Sequence, residues 1–340
     1  MTTASERLWV QLEERYPIGP IRHATALAGG EWKRLWRLEC SDGAYVAAIC
    51  HPTTTVASVA YEHRLLHELQ AQLPQIPAPL VAHDGSTYFV DEGQISTLLP
   101  LMPGAMAEDT ETAPAAARFL AHFQAVGLSL ADPGPRPGVP AWREWNWYAD
   151  DWPQIAAMLA TKPSATDTVG RRFWQSCGEW AAEIAARRRQ IGEERAHFQR
   201  WIADLGKTAP PTMGLVHDDY HGNNLLFADN TITALLDWDN CHPDWLLFDL
   251  SNAVWEFCHD DATHSLVVPD AQHFLQEYVD ADGPLPAPEF ALIVPFIRCR
   301  RMIEILGSLR GIATGTAWDE SPDYLVHNLR ALVNLRKITL

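Results

Sequence analysis

Basic side chains are scarce in this 340-residue chain: 26 lysines and arginines stand against 43 acids, a formal net charge of −17. Such a surface repels nucleic-acid phosphates and anionic membranes, so neither is an expected partner, whereas a cationic small molecule is electrostatically acceptable. No C-x-x-C pair occurs among Cys40, Cys50, Cys177, Cys241, Cys258 and Cys299, and their spacing suggests no disulfide framework. Free buried thiols in a reducing cytosol are expected, and with them a cytoplasmic location. No stretch approaches the roughly 20 apolar residues that span a bilayer. The start, Met1-Thr-Thr-Ala-Ser-Glu6, lacks a basic segment followed by an apolar run, so no secretory leader is expected. Internal repeats and low-complexity tracts are absent too. What is present is apolar: 47% of the residues, enough for a sizeable core in one large or two smaller domains.

The first hundred residues read as strands with one helix. Short strand-like runs at 32–38 and 44–49 flank the turn Ser41-Asp42-Gly43. Glu62, Leu65, Leu66 and Leu69 then fall at helical spacing, which puts a carboxylate on an apolar face. Pro74, Pro77 and Pro79 end that helix, and runs at 87–90 and 95–99 form a hairpin about Asp91-Glu92-Gly93. Beyond Pro103-Gly104 helices dominate. Pro114 suits a first helical turn, and Ala116, Phe119, Leu120 and Phe123 form the stripe behind it. Residues 132–140 are a Pro- and Gly-rich loop. A long helical region follows at about 170–204, with a break expected near Gly192, and another apolar helix covers 290–309. The expected fold is α+β and two-lobed: a β-rich lobe over 1–99, a connector at 100–104 and a larger helical lobe over 105–340.

The chemistry concentrates in Leu215-Val-His217-Asp-Asp219-Tyr-His221-Gly-Asn-Asn224-Leu-Leu-Phe227, followed by Ala234-Leu-Leu-Asp237-Trp-Asp239. Apolar runs flank each polar cluster, so Asp219 and Asn224 fall on a loop after one strand and Asp237 at the end of another. A turn at Ala228-Asp229-Asn230 folds residues 225–235 into a hairpin and brings Asn224 near Asp237. Phosphoryl transfer needs a carboxylate to take or orient an alcohol's proton, and hard oxygen ligands to hold Mg²⁺ against nucleotide phosphates. Asp219 suits the first role and Asn224 with Asp237 the second; the D-x-x-x-x-N interval is that of a kinase catalytic loop. Asp and Asn also favour turns for local reasons. The H-x-D-x-H run 217–221, with His242 and Asp244 nearby, leaves a metal-dependent hydrolase as another reading.

At these residues the chain resembles the aminoglycoside phosphotransferase and choline kinase superfamily, relatives of the eukaryotic-type protein kinases. That family reads H-G-D-x-x-x-x-N-hydrophobic, then hydrophobic-hydrophobic-D, which His217, Asp219, Asn224 and Asp237 match, with Asp218 in place of the usual glycine. The resemblance implies a protein-kinase-like fold, Mg²⁺ as cofactor and ATP or GTP as co-substrate. It implies that Gly29 and Gly30 lie on the first, nucleotide-covering hairpin and that Glu62 is the helix glutamate. Pro100 and Met102 would lend backbone groups to the base. Asp249, in Asp244-Trp-Leu-Leu-Phe-Asp249-Leu250, would brace the catalytic loop, and His217 would be structural. Where the family carries a phosphate-contacting Lys or Arg, this chain has Ala48, as homoserine kinases of the superfamily also lack that cation; Lys33 and His51 are the possible substitutes.

The resemblance further implies a small hydroxylated acceptor, often bearing an amine, such as an aminoglycoside or other antibiotic, with a resistance role. A homoserine-like hydroxy amino acid or an amino alcohol is the alternative. Glu256, Asp260 and Asp261 are candidates to read an amine, and Arg298, Arg300 and Arg301 a carboxylate. Trp142, Trp145, Trp147, Tyr148 and Trp152 offer aromatic faces to a cation or simply pack. From another functional class, a pseudokinase that binds without turnover rests on Ala48 alone. The oligomeric state has no signal in the sequence.

Overall fold

The structure is a computed structural model and describes residues 4–27, 33–106, 110–160, 162–316 and 322–340. Gly29, Gly30 and the start of the 32–38 run lie outside these residues. In chain order the strands are β1 (Ile21–Ala26), β2 (Lys33–Cys40), β3 (Ala44–Cys50), β4 (Phe89–Asp91), β5 (Gln94–Pro100), β6 (Met213–Val216), β7 (Leu225–Ala228), β8 (Thr231–Leu235), β9 (His242–Trp245), β10 (His259–Asp260) and β11 (Ser265–Leu266). The chain divides into two compact units. The first comprises Met1–Glu108, Ala125–Val139 and Gly222–Cys241; the second comprises Asp109–Gln124, Pro140–His221 and His242–Leu340.

In the first unit, β1 to β5 form an antiparallel sheet of order β1-β2-β3-β5-β4. Leu38, Ala47, Phe89 and Leu98 pack beneath it with Leu12 of the helix Ala4–Arg15 and Tyr16 just after it. The helix Val56–Gln70 begins where Thr55 accepts a hydrogen bond from the Ser58 amide, a cap that stabilises by about 1 kcal/mol. Its apolar stripe buries Val59, Leu65, Leu66 and Leu69, and carries Glu62 inward with them. The hairpin β7–β8 also belongs to this unit. Its two-residue turn is Asp229-Asn230, both at positive φ, the pair of left-handed residues that matches strand twist.

That hairpin is stapled to the connector at 100–104. Ala105 and Phe227 exchange two backbone hydrogen bonds, and the Thr233 hydroxyl donates to the Pro103 carbonyl. Gly104 permits the close approach: its φ is +111°, and a Cβ there would lie 2.8 Å from the Phe227 carbonyl oxygen.

The second unit is helical around the two-stranded sheet β6–β9. The helices Leu247–Cys258 and Ile293–Thr314 bury most of their length. The expected long helix at 170–204 is broken at Gly178, which takes φ +49°, and again at Arg187, five residues before Gly192. Gly192 sits inside the helix Arg188–Thr208, where the Trp152 ring comes so close that a Cβ would meet it at 2.9 Å. That glycine serves packing, not a bend. All six cysteines are buried and unbridged. No helix among the described residues is long and apolar enough to cross a membrane.

Candidate active site

On the first unit, the β7–β8 ladder sets the metal-ligand candidates. Leu225 pairs with Leu235, and one step beyond it the Leu236 amide donates to the Asn224 carbonyl at 2.8 Å. Asn224 thus sits, nearly buried, opposite the residue before Asp237. Asp237 takes φ +58°, a left-handed turn that Asp tolerates better than most residues. An amide oxygen and a carboxylate are hard donors of the kind Mg²⁺ takes, so this pair fits the ion the family pattern implies.

The same unit holds Ala48 and both candidate substitutes for its missing cation, Lys33 and His51. Ala48 is fully buried on β3, between Leu35 of β2 and Thr97 of β5, and carries no charge. Lys33, at the start of β2 opposite Cys50, sends its Nζ to Glu62 Oε1 at 3.0 Å and into contact with Asp239. The other Glu62 oxygen accepts from Arg136 Nη2 at 2.7 Å. Arg136 also donates to the carbonyls of Trp238 and Cys241. Burial alone would raise the Glu62 carboxyl, but Lys33 and Arg136 outweigh it and hold the group at about 2. Burial likewise works against the Lys33 ammonium, yet Glu62 and Asp239 keep it well above its ordinary range. His51, the other candidate substitute, bonds Thr53 within its own turn. The connector residues Pro100 and Met102 are half-buried where β5 ends.

On the second unit, β6 runs into His217, Asp218 and Asp219. Asp249, fully buried on the helix Leu247–Cys258, accepts from the amides of His217 at 2.6 Å and Asp218 at 2.7 Å. The strand's exit is thereby fixed by one carboxylate. Burial pushes that carboxyl up to about 7, against the two amides that favour its ionised form. Asp218 takes φ +69°. This is the physical sense of the family's glycine at this position, and Asp is among the few residues that bear such a backbone. Its side chain is buried, receiving the Trp142 indole N–H at 2.6 Å and Arg300 at 3.1 Å, and burial pushes it up to about 6. Asp219 is a third exposed and lies 3.4 Å from His221 Nε2. Burial would raise it, but His221, Arg300 and His217 together hold it at about 2, so it stays ionised at any working pH.

The acceptor candidates are spread through the second unit. Arg301 is buried and bonds Asn252, Asn328 and Glu256. Arg298 grips both oxygens of Glu194, and Arg300 is shared between Asp218 and Glu304. Asp260 is taken up by the amide and hydroxyl of Thr263, while Asp261 projects into solvent beside His259. In the aromatic segment, Trp147 is buried against Phe198. Arg300 lies over Trp142, Arg310 over Tyr148 and Arg195 over Trp152, so three of the five faces already hold the chain's own cations. Sequence reasoning missed Arg136 and Asp239. Asp239 had a faint signal as the second acid of Asp237-Trp238-Asp239; Arg136, alone in a Pro- and Gly-rich loop, had none.

A family model described as "APH: Phosphotransferase enzyme family" matches residues 23–291. A homoserine kinase of Paraburkholderia phymatum is 24% identical over 286 residues, covering 82% of this chain and 79% of that protein. Among solved structures, an amicoumacin kinase in complex with AMP-PNP, Ca²⁺ and Ami superposes with a TM-score of 0.65 at 15% identity, over 98% of this chain and 94% of that one. A microcompartment-associated aminopropanol kinase does so with a TM-score of 0.65 at 16% identity, over 97% and 96%. The fold is therefore the protein-kinase-like α+β fold of these neighbours.

Proposed function

The chain belongs to the phosphotransferase enzyme family and is a small-molecule phosphotransferase, and on that premise we propose that it moves the terminal phosphoryl group of ATP or GTP to the hydroxyl of a small, amine-bearing alcohol. The observation that carries the reading is the Lys33–Glu62 ion pair, in a chain whose sequence also carries Asp219, Asn224 and Asp237. It supplies the cation whose absence at Ala48 was the sole support for a binding-only protein.

In this reading Lys33, held by Glu62 and Asp239, faces the nucleotide phosphates, and the ends of β2 and β5 cover the base near Pro100 and Met102. Asn224 and Asp237 hold Mg²⁺, which when bound neutralises phosphate charge. Asp219, ionised throughout, accepts the hydrogen bond of the acceptor hydroxyl and takes its proton as the new P–O bond forms. Only four residues separate Asp219 from Asn224, a chain span of at most roughly 18 Å even when fully extended. Asp249 and His217 act as supports of that loop.

For the acceptor, the names of the relatives favour a hydroxy amino acid such as homoserine or an amino alcohol such as aminopropanol. The engagement of Arg298 and Arg301 by Glu194 and Glu256 weighs against those two arginines as free carboxylate readers and leaves the amine as the feature to test. Six unbridged buried thiols suit a reducing compartment, and we place the protein in the cytoplasm on that ground. The deciding experiment mixes purified protein with Mg²⁺ and ATP or GTP, then follows nucleoside diphosphate release. The acceptors are homoserine and other hydroxy amino acids, amino alcohols, aminoglycosides, and neutral sugars as controls. Acceptor-dependent release with an amine-bearing alcohol is expected; turnover confined to neutral sugars would overturn the amine assignment.

A further inference from the structure

A group of ligating side chains lies in the second unit that the phosphoryl-transfer reading does not use. His259 begins the short hairpin β10–β11, Asp261 sits in its turn, and His327 projects from the helix Pro322–Asn334. One nitrogen from each histidine and one oxygen from Asp261 all lie within 4.8 Å of one another. His259 Nε2 is 3.1 Å from Asp261 Oδ1, and His327 Nδ1 is 3.7 Å from the same oxygen. Two ligands of a tetrahedral ion with bonds near 2.05 Å stand about 3.3 Å apart, so both separations bracket the value that a metal would impose.

The protons sharpen the argument. The other nitrogen of His259, Nδ1, lies 2.9 Å from the Trp255 carbonyl oxygen. A carbonyl only accepts, so Nδ1 carries a hydrogen, and Nε2 is the ring atom that faces the Asp261 carboxylate. An ion held between Nε2 and that carboxylate takes the place of their direct contact. The bond from Nδ1 to a backbone carbonyl is also the outer contact that metal-bound histidines commonly make. At His264, Arg330 approaches Nε2 at 3.4 Å and can only donate. His264 therefore holds its proton on Nδ1 and donates it to His327 Nδ1, 2.9 Å away. His327 Nδ1 then carries no proton and accepts from His264, and an ion bound at Nδ1 takes the place of that N–H···N hydrogen bond.

The scaffold stands without the ion. Asp260 accepts from the amide and hydroxyl of Thr263 and so shapes the turn that carries Asp261. Asn334 donates to the carbonyls of Thr263 and His264, tying the end of the helix to the same turn. The His259 ring is stacked on the buried Trp255 indole, which fixes its plane. Asp261 is 87% exposed, so an ion would enter from solvent and keep a position open to water.

We propose that His259, Asp261 and His327 form a binding site for a divalent transition-metal ion of the Zn²⁺ type, separate from the Mg²⁺ ligands Asn224 and Asp237. Two imidazoles and one carboxylate favour Zn²⁺ and its neighbours over Mg²⁺ or Ca²⁺, which take oxygen. The ion clamps the β10–β11 turn to the helix Pro322–Asn334.

Equilibrium dialysis of the purified chain against micromolar Zn²⁺, with millimolar Mg²⁺ present, tests the assignment. One Zn²⁺ per chain is expected to remain, and the melting temperature is expected to rise with Zn²⁺ concentration, since a ligand that binds only the folded state stabilises it. His327→Gln and Asp261→Asn should each weaken Zn²⁺ binding at least tenfold and abolish the melting shift. His23→Gln, on an exposed strand of the first unit, should change neither. Asp261 is exposed, so its variant folds whatever the role of the site, and its melting temperature in chelator should equal that of the parent chain. Failure to retain Zn²⁺, or retention undiminished in Asp261→Asn and His327→Gln, would overturn the proposal.

Discussion

The charged cluster around Glu62 and the one around Asp249 solve the same problem in opposite ways. Both place a carboxylate on a helix that faces the interior of its unit. Glu62 is met by two cations, Lys33 and Arg136, with Asp239 as the second acid, so the charges nearly balance and the carboxyl is held low. Asp249 is held by two backbone amides, and burial raises it. The first arrangement keeps acids and cations ionised side by side. The second holds a loop in place by geometry and tolerates a neutral carboxyl. Depth of burial alone does not distinguish them. What distinguishes them is whether the partner is a side-chain cation or a peptide dipole.

The largest effect that would test this division belongs to the reacting carboxylate. Asp219→Asn should lower kcat by about 10²–10⁴-fold, the range of a general base, and leave the nucleotide KM nearly unchanged. Steady-state kinetics on the folded variant decide it, and near-normal turnover would remove Asp219 from the chemistry. Next comes Lys33, the proposed substitute for the missing cation. Lys33→Met should raise the nucleotide KM and lower kcat/KM by about 10-fold or more, a loss of about 1.4 kcal/mol or above. Adding Ala48→Lys to that variant should recover part of the loss, because both positions lie on adjacent strands of one sheet. An unchanged nucleotide KM in Lys33→Met would mean that the ion pair is purely structural.

The pH dependence of stability separates the two clusters directly. The Asp249 pKa is raised from 3.8 to about 7, so its contribution is full below about pH 4 and lost as the pH rises through 7. Glu62, lowered from 4.5 to about 2, contributes above pH 4.5 and loses that contribution as the pH falls towards 2. Asp249→Asn should cost about 1–3 kcal/mol through the broken amide contacts, and should flatten the stability profile between pH 4 and 7. Urea unfolding at several pH values measures both; a slope in that window shared by parent and variant would refute the assignment. The smallest effect is expected at Asp218→Gly. Glycine relieves the left-handed backbone but forfeits the contacts with Trp142 and Arg300, and the two changes should leave stability within about 1 kcal/mol. The variant should lose any inflection near pH 6 in the kcat profile, which a pH–rate series would reveal.

Much of this was legible in the chain. The polar segment 215–239 could be read as a candidate site because its strand, turn and polar residues are local neighbours, and the turn at Asp229-Asn230 folds as its composition dictates. The inward carboxylate of Glu62 followed from helical spacing. Its partners did not, because Lys33 and Arg136 stand 29 and 74 residues away and nothing in their local sequence refers to it. Lys33 was found only by asking what replaces a missing charge. The glycine exchanged for Asp218 looked odd in sequence and is explained by a single dihedral angle. Gly178 and Arg187 interrupt the long helix while Gly192 lies inside it, since a glycine inside a helix can serve a bulky neighbour and periodicity does not distinguish the two uses. The attachment of the β7–β8 hairpin to the connector rests on a bridge between Ala105 and Phe227, pairing segments more than a hundred residues apart without a local signature.

Because one carboxylate anchors two consecutive amides, those of His217 and Asp218 have no independent fates in time. Any opening that withdraws the Asp249 carboxylate breaks both hydrogen bonds at once. In deuterated buffer the two should therefore exchange as a pair, at a common rate set by the opening of a side chain and not by the fraying of a strand.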